Sequence, residues 1–385
     1  MQHTTHNKMN FAFLIDKSQT FQIILSSLVE SLSRGHDCTV YSTCSEDCFK
    51  EIAHHGIYNN EDFSNMGNLQ WGEFSDRHSL LREFTKRSSD YHAVIGINGF
   101  NNIWKQIYTD KNINSFALEY CWNEIYNCYQ GFDGSVEILC NSDWSMKKIK
   151  ELSDYENLSS IGSPWFSLLD RCSEKMPAHN CVGKKYITVL APHNSFHQRR
   201  DFSKRSSSVM KILRKYCDKN NLSLILKTRQ KYNRSYNDTA NFDAVLTDVT
   251  ALDHIAIYNS SVAVINFCSS AINEMTFLKT PFMCCFLDDH KELHPTLSCR
   301  PGITKINEKY YSDHSFDDIH STFILSNQAN DEELINQKLD TIIGSSKNWT
   351  QFQNTMFPGD HKRAEKNIID HVENKIEKLR HTVKS

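Results

Sequence analysis

The sequence predicts an α/β protein made of two successive parallel-sheet domains, and three observations carry that expectation. The chain opens with an apolar run, Phe11 to Ile15, then a loop, Asp16 to Thr20, helically spaced apolar residues from Phe21 to Leu32, and a second apolar run, Cys38 to Tyr41. This is a strand-helix-strand crossover, and its right-handed form builds a parallel sheet. After the charged, turn-rich residues 171 to 184, the same alternation restarts at Tyr186 to Ala191. A third signal lies at Val262 to Phe286: a β-branched strand, the small polar turn Cys268-Ser269-Ser270, a short helix stopped by Lys279-Thr280-Pro281, and another apolar strand from Phe282. Two separate βαβ series in one chain argue for two stacked α/β domains.

Taken in order, Gly35 ends the first helix, and residues 45 to 90 are polar and irregular apart from a helical patch at Ser79 to Lys86. Strands follow at Ala93 to Ile97, Ser115 to Leu118 and Val136 to Cys140, and a helix capped by Ser142 runs to Leu152. In the second half a helix spans about Ser206 to Lys219, strands cover Leu222 to Leu226 and Ala244 to Thr247, and a helix covers Ala251 to Tyr258. The predicted partition is a first domain over 1–170, a linker over 171–184, a second domain over 185–355 and a final helix within 356–385. No Gly lies between Asp16 and Thr20, so the first turn lacks the glycine fingerprint of dinucleotide sites.

Composition narrows the function classes. A length of 385 residues exceeds one ordinary core. Lys plus Arg number 43 against 46 Asp plus Glu, so the net charge of -3 gives no general attraction to nucleic acid. Thirteen cysteines, an odd number without framework spacing, fit reduced thiols in a cytoplasmic protein. The apolar run after Asn10 is too short for a signal peptide or membrane span. Basic residues on the last helix allow peripheral membrane contact, although alternating charges on a solvated helix are the commoner cause of that pattern. No cofactor and no metal are expected. His290-Lys-Glu-Leu-His294 has its Glu misplaced for a zinc helix and is followed by Pro295, and Cys44, Cys48, Cys284 and Cys285 lack partners at zinc spacing.

The stretch 262–286 carries the chemistry. A helix start at the carboxyl edge of a parallel sheet presents free N–H groups where a phosphate can sit. Glu274, four residues beyond Ser270, remains near that mouth and could accept hydrogen bonds from sugar hydroxyls. The plainer explanation is a capped helix with a surface Glu.

Three stretches together resemble one family. They are Gly162-Ser163-Pro164, Ser269-Ser270 with Glu274 and Lys279-Thr280-Pro281, and Gly359-Asp-His-Lys-Arg-Ala364 before the last helix. Their order resembles the GT-B glycosyltransferase superfamily, near the branch of UDP-N-acetylglucosamine 2-epimerases, CDP-glycerol glycerophosphotransferases and capsule polysaccharide transferases. The resemblance implies two Rossmann-like domains facing a central cleft, with the C-terminal helix crossing back to the first. It implies a nucleotide-sugar donor held by backbone N–H groups of Ser269 and Ser270, with Glu274 on the ribose. The loop His193-Asn194-Ser195 and Arg199 would face the pyrophosphate, and Lys227 stands where relatives carry a Lys-x-His-Pro signature whose His-Pro is absent here.

Retaining enzymes of this fold often carry a second glutamate upstream of the first. Eight positions before Glu274 lies Asn266, so an inverting mechanism is expected, with one general base for a glycan or other hydroxyl acceptor. Asp16, Glu119 and Glu124 are the candidates, each after a first-domain strand, with Asp16 preferred because it follows its strand immediately. The expected function is therefore metal-independent glycosyl transfer in surface polysaccharide or glycoconjugate synthesis. The alternatives are a 2-epimerase, which the pair His193-Asn194 in place of His-Arg argues against, a glycerophosphate or polyol-phosphate transferase, and a non-catalytic binding protein of the same fold.

Overall fold

The computed structural model describes residues 7–15, 18–46, 66–97, 113–119, 134–175, 182–191, 200–228, 239–247, 253–267, 271–287, 323–344 and 363–384. The chain divides into two compact units, residues 1–175 with 354–385, and residues 176–353. Among the described residues the strands are β1 (Asn10–Ile15), β2 (Asp37–Ser42), β3 (Leu69–Glu73), β4 (Ala93–Ile97), β5 (Asn114–Leu118), β6 (Val136–Cys140), β7 (Leu158–Ser160), β8 (Tyr186–Leu190), β9 (Ser223–Lys227), β10 (Ala244–Leu246), β11 (Ser261–Asn266), β12 (Phe282–Phe286) and β13 (Phe323–Leu325). The helices are α1 (Ser18–Ser33), α2 (Arg77–Arg87), α3 (Asp143–Leu152), α4 (Pro164–Lys175), α5 (Arg200–Lys219), α6 (Asp253–Ser260), α7 (Ile272–Phe277), α8 (Glu332–Gly344) and α9 (Ala364–Lys384).

The first unit holds a parallel sheet in the order β3-β2-β1-β4-β5-β6-β7, and the second a parallel sheet in the order β10-β9-β8-β11-β12-β13. Strands with helices over both faces read as continuous apolar runs, and Ala93 to Ile97 and Tyr186 to Leu190 are buried at every position. In each sheet the order reverses beside the unit's first strand, β1 or β8. Such a switch point opens a crevice at the carboxyl ends of the strands, where ligands of open α/β sheets bind. The second unit's core packs α5 and α8 on one sheet face, through Phe202, Val209, Leu213, Ile335 and Leu339 among others.

Helix ends follow local chemistry. Asp76 and Ser142 cap α2 and α3 by accepting from the backbone N–H groups of Ser79 and Ser145. Gly35 ends α1 with a φ of 84°, and the His36 N–H donates back to Ser31 O, the 6→1 bond of a Schellman turn that favours glycine at this position. The helix predicted from about Ser206 starts at Arg200, and the polar stretch after residue 45 contains the edge strand β3. The β3 run, Leu-Gln-Trp-Gly-Glu, is half-exposed and so carries little apolar signal.

The last helix belongs to the first unit. Ala364, Ile368, Val372 and Ile376, spaced by four, form a buried stripe together with Ile369. Charges flank the stripe. Glu137, a carboxylate within buried β6, accepts from His371 Nε2 at 2.8 Å, from Lys375 Nζ and from Ser159 Oγ. Burial pushes this carboxyl up, but the hydrogen bonds from His371, Lys375 and Ser159 outweigh it and hold the pKa at about 2. At the end of α1, Arg34 reaches Asp370 at 2.6 Å and Glu373 at 2.8 Å. His36 Nδ1 accepts from the Met9 N–H, which places the ring proton on Nε2, 2.6 Å from Glu373 Oε1. Glu365 accepts from Ser167 Oγ and from Arg171, joining α9 to α4.

Candidate functional site

The polar groups of the second unit gather where its strand order reverses. Lys227 ends β9, Leu190 ends β8 and Asn266 ends β11, and the register places them on one rung with Cys284 of β12. Paired residues in a sheet direct their side chains to the same face. Lys227 and Asn266 thus share one face at the carboxyl edge, opposite the face covered by α5 and α8. Both are buried, Asn266 at 0% exposure, and its Nδ2 donates to Cys284 Sγ at 3.5 Å. The Ala191 N–H donates to Lys227 O at 2.9 Å, so the backbone leaving β8 still runs beside the end of β9.

Glu274 lies in the first turn of α7, the helix that follows β11. Burial raises its carboxyl to about 7, and the positive charge of Lys227 acts in the opposite direction. A carboxyl of that pKa is close to half ionised at neutral pH, and the ionised form accepts hydrogen bonds from hydroxyl groups. Together, Lys227 and Glu274 present a cation and a hydrogen-bond acceptor at the carboxyl edge. The helix ends in a Schellman turn, with Lys279 at φ 58° and the Thr280 N–H on Met275 O.

In the first unit the carboxyl edge carries Glu119, the residue after β5. It is fully buried, and both oxygens accept: Oε2 from the Asn141 N–H at 2.7 Å and Oε1 from Ser145 Oγ at 3.0 Å. Burial raises its carboxyl to about 7, and those two hydrogen bonds lower it in part. Glu119 therefore ties the end of β5 to the start of α3.

Of the sequence candidates, Lys227 and Glu274 come together and Glu119 stands in the other unit. Asp16, Glu124, His193, Asn194, Ser195, Arg199, Ser269 and Ser270 lie outside the described residues. Asn266 is the polar residue that sequence reasoning undervalued, since it registered only as the absence of a second glutamate. Its signal was a polar side chain directly after the apolar run Val262 to Ile265. Among the described residues no group of three or more His, Cys, Asp or Glu side chains is placed to hold a metal, and no helix is long and apolar enough to cross a membrane.

No protein-family model matches the chain, and no curated sequence matches it. Solved structures do. A UDP-GlcNAc 2-epimerase of Methanocaldococcus jannaschii, in complex with UDP-GlcNAc and UDP, superposes with a TM-score of 0.59 at 12% identity, over 94% of this chain and 98% of that one. A UDP-GlcNAc 2-epimerase of Neisseria meningitidis bound to UDP-GlcNAc gives 0.60 at 10% identity, over 94% and 99%. A wall teichoic acid polymerase gives 0.52 at 10% identity, over 98% and 91%. The likeness at such identities is one of fold: this chain has the two Rossmann-like units and C-terminal helix of GT-B proteins.

Proposed function

We propose that this chain binds a nucleotide-sugar at the carboxyl edge of its second sheet and transfers the sugar to a glycan or other hydroxyl acceptor. The observation that supports this reading is the pairing of Lys227 with Glu274 at the point where the strand order reverses. A nucleotide-sugar offers both groups a partner, since its phosphates are anionic and its ribose carries adjacent hydroxyls. Glu274 accepts from the ribose, Lys227 offsets phosphate charge, and the backbone of Ser269 and Ser270 supplies the further phosphate contacts that the family resemblance implies.

In the transfer, the acceptor hydroxyl gives its proton to a base, for which Asp16 is the choice. The acceptor oxygen bonds to the anomeric carbon as the bond to the phosphate oxygen breaks, and the nucleotide leaves with that electron pair. Displacement from the face opposite the leaving group inverts the anomeric centre. The reaction needs stabilisation of the leaving phosphate, which cationic side chains and N–H groups can supply without a metal ion.

A second reading is 2-epimerisation of a nucleotide-sugar, favoured by the fold likeness to two such epimerases. One experiment separates the readings. The protein is incubated with UDP-, GDP-, CDP- and CMP-linked sugars while free nucleotide is assayed and the H1–H2 coupling of the sugar is followed by NMR. Free nucleotide from slow donor hydrolysis supports transfer, whereas a sugar inverted at C2 supports epimerisation. A nucleotide-induced thermal shift without turnover would leave a binding protein. Glu274→Ala is expected to abolish the thermal shift, and an unchanged shift would remove Glu274 from the site.

A further inference from the structure

A general base needs an open lone pair and a path to the proton it takes. Glu119 lacks the path: its exposure is 0%, and among the described residues each oxygen is already engaged by a protein donor. Among the described residues its partners are linked to one another. Ser142 caps α3 by accepting from the Ser145 N–H at 3.1 Å, and Ser142 Oγ donates to Ser145 Oγ at 3.2 Å. Ser145 Oγ in turn donates to Glu119 Oε1 at 3.0 Å. The Glu119 N–H donates to Leu139 O at 3.0 Å, so backbone and side chain both bind the neighbouring strand and its turn. One carboxylate thus fixes three things at the carboxyl edge of the first sheet: the end of β5, the turn at Asn141, and the first turn of α3.

We infer that Glu119 is a positioning residue, which holds the β5 end and the β6–α3 turn in one arrangement for the acceptor side of the reaction proposed above. It does not touch the acceptor. The claim rests on that proposed reaction for its kinetic consequence, and on hydrogen bonding alone for its structural one.

The chemistry of the cluster suggests a decisive variant. In Glu119→Gln the amide oxygen still accepts from the Asn141 N–H. The amide nitrogen then donates to Ser145 Oγ, whose hydroxyl can turn to accept, so the cluster survives without a carboxylate. Glu119→Ala leaves the Asn141 N–H buried and unpaired and opens a cavity.

The test measures acceptor KM, kcat and nucleotide affinity for wild type and both variants, together with amide hydrogen exchange at Asn141 and Ser145. Glu119→Ala is expected to lower kcat/KM for the acceptor about tenfold to a hundredfold, as misplacement does, with nucleotide affinity unchanged and with faster exchange at Asn141. Glu119→Gln is expected to restore kcat/KM to within about threefold of wild type, with the wild-type pH profile. A loss in Glu119→Gln of about a hundredfold or more, the range for a missing general base, would overturn the inference. So would wild-type kinetics in Glu119→Ala accompanied only by a lower Tm. If wild type turns over no nucleotide-sugar at all, the proposed reaction fails by itself and exchange decides the inference. Protection kept in Glu119→Gln and lost in Glu119→Ala supports it, and equal protection in all three proteins refutes it.

Discussion

Replacing Glu137 with Gln removes the negative charge to which His371 and Lys375 of α9 are bound, and the structure sets the size and the pH range of the effect. The carboxyl lies at about 2 in the folded protein against an ordinary value of 4.5. A difference of roughly 2.5 units corresponds to about 3 kcal/mol at about 1.4 kcal/mol per unit. Lys375 is 36% exposed and His371 29%, so solvent screening reduces the expected figure to about 2 kcal/mol. A depressed carboxyl stabilises the fold fully above its unfolded value and stops doing so as pH falls through its folded value. The gap between wild type and Glu137→Gln is therefore about 2 kcal/mol at pH 7, begins to shrink below 4.5 and closes near 2. Urea unfolding followed by tryptophan fluorescence reads this from the correct unit, because Trp71, Trp104, Trp122, Trp144 and Trp165 all lie within residues 1–175 and only Trp349 lies in the second unit. A gap that is the same at pH 7 and pH 3 would refute the reasoning, since the stabilisation would then come from packing and not from the charge.

Two further outcomes concern the second unit. Lys279 is exposed and held at φ 58°, a region that costs a side chain about 1–2 kcal/mol. Lys279→Gly recovers that cost less the extra backbone entropy of glycine, a net gain of about 0.5–1 kcal/mol, so Tm should rise by about 2 °C, and a fall in a thermal melt would contradict the strain. Glu274 is raised to about 7 against an ordinary 4.5, so the folded unit retains a proton that the unfolded chain has lost, and stability declines as pH rises from 4.5 to 7. Glu274→Gln should abolish that decline while weakening nucleotide binding above pH 7, and Lys227→Gln should move the pH midpoint of binding upward. Melting curves and titrations with UDP between pH 5 and 9 check both, and a wild-type melt with no decline in this range would sink the assignment.

How much was legible in the sequence depends on the distance over which each feature is determined. Runs such as Ala-Val-Ile-Gly-Ile and Tyr-Ile-Thr-Val-Leu announce themselves because helices bury both of their faces. The edge strands β3 and β7 are short and half-exposed, so they carry no such run. Caps are local as well, and Ser142 could be read directly. The charge networks could not. Glu137 meets His371 across 234 residues and His36 meets Glu373 across 337, separations at which no spacing rule operates. At the site, Glu274 was visible by its spacing from Ser270 in a turn signal. Lys227 entered through a family pattern, and the rung that aligns it with Asn266 is a property of strand register, which the sequence of either strand alone does not contain.

Three carboxylates, Glu119 and Glu137 buried and Glu274 partly exposed, show what separates structure from site in this chain. Burial is the largest influence on Glu137, Glu119 and Glu274, and in each it pushes the carboxyl upward. Their partners differ. Glu137 has two side chains able to carry positive charge and a hydroxyl within hydrogen-bonding reach, and it ends near 2. Among the described residues Glu119 has a backbone N–H and a hydroxyl, and it ends near 7. Among the described residues Glu274 has the charge of Lys227 to lower it, and it also ends near 7. A carboxylate whose burial is fully offset serves as a fastening, here for α9. One that remains under-compensated lowers stability, and such groups gather where a function repays the cost. Glu119 and Glu274 both lie at the carboxyl edges of parallel sheets, yet among the described residues only Glu119 has a protein donor on each of its oxygens. The remaining deficit of Glu274 is of the kind that the hydroxyl donors of a ribose would remove, so nucleotide binding should pull its carboxyl below 7 and release a proton into solution at neutral pH.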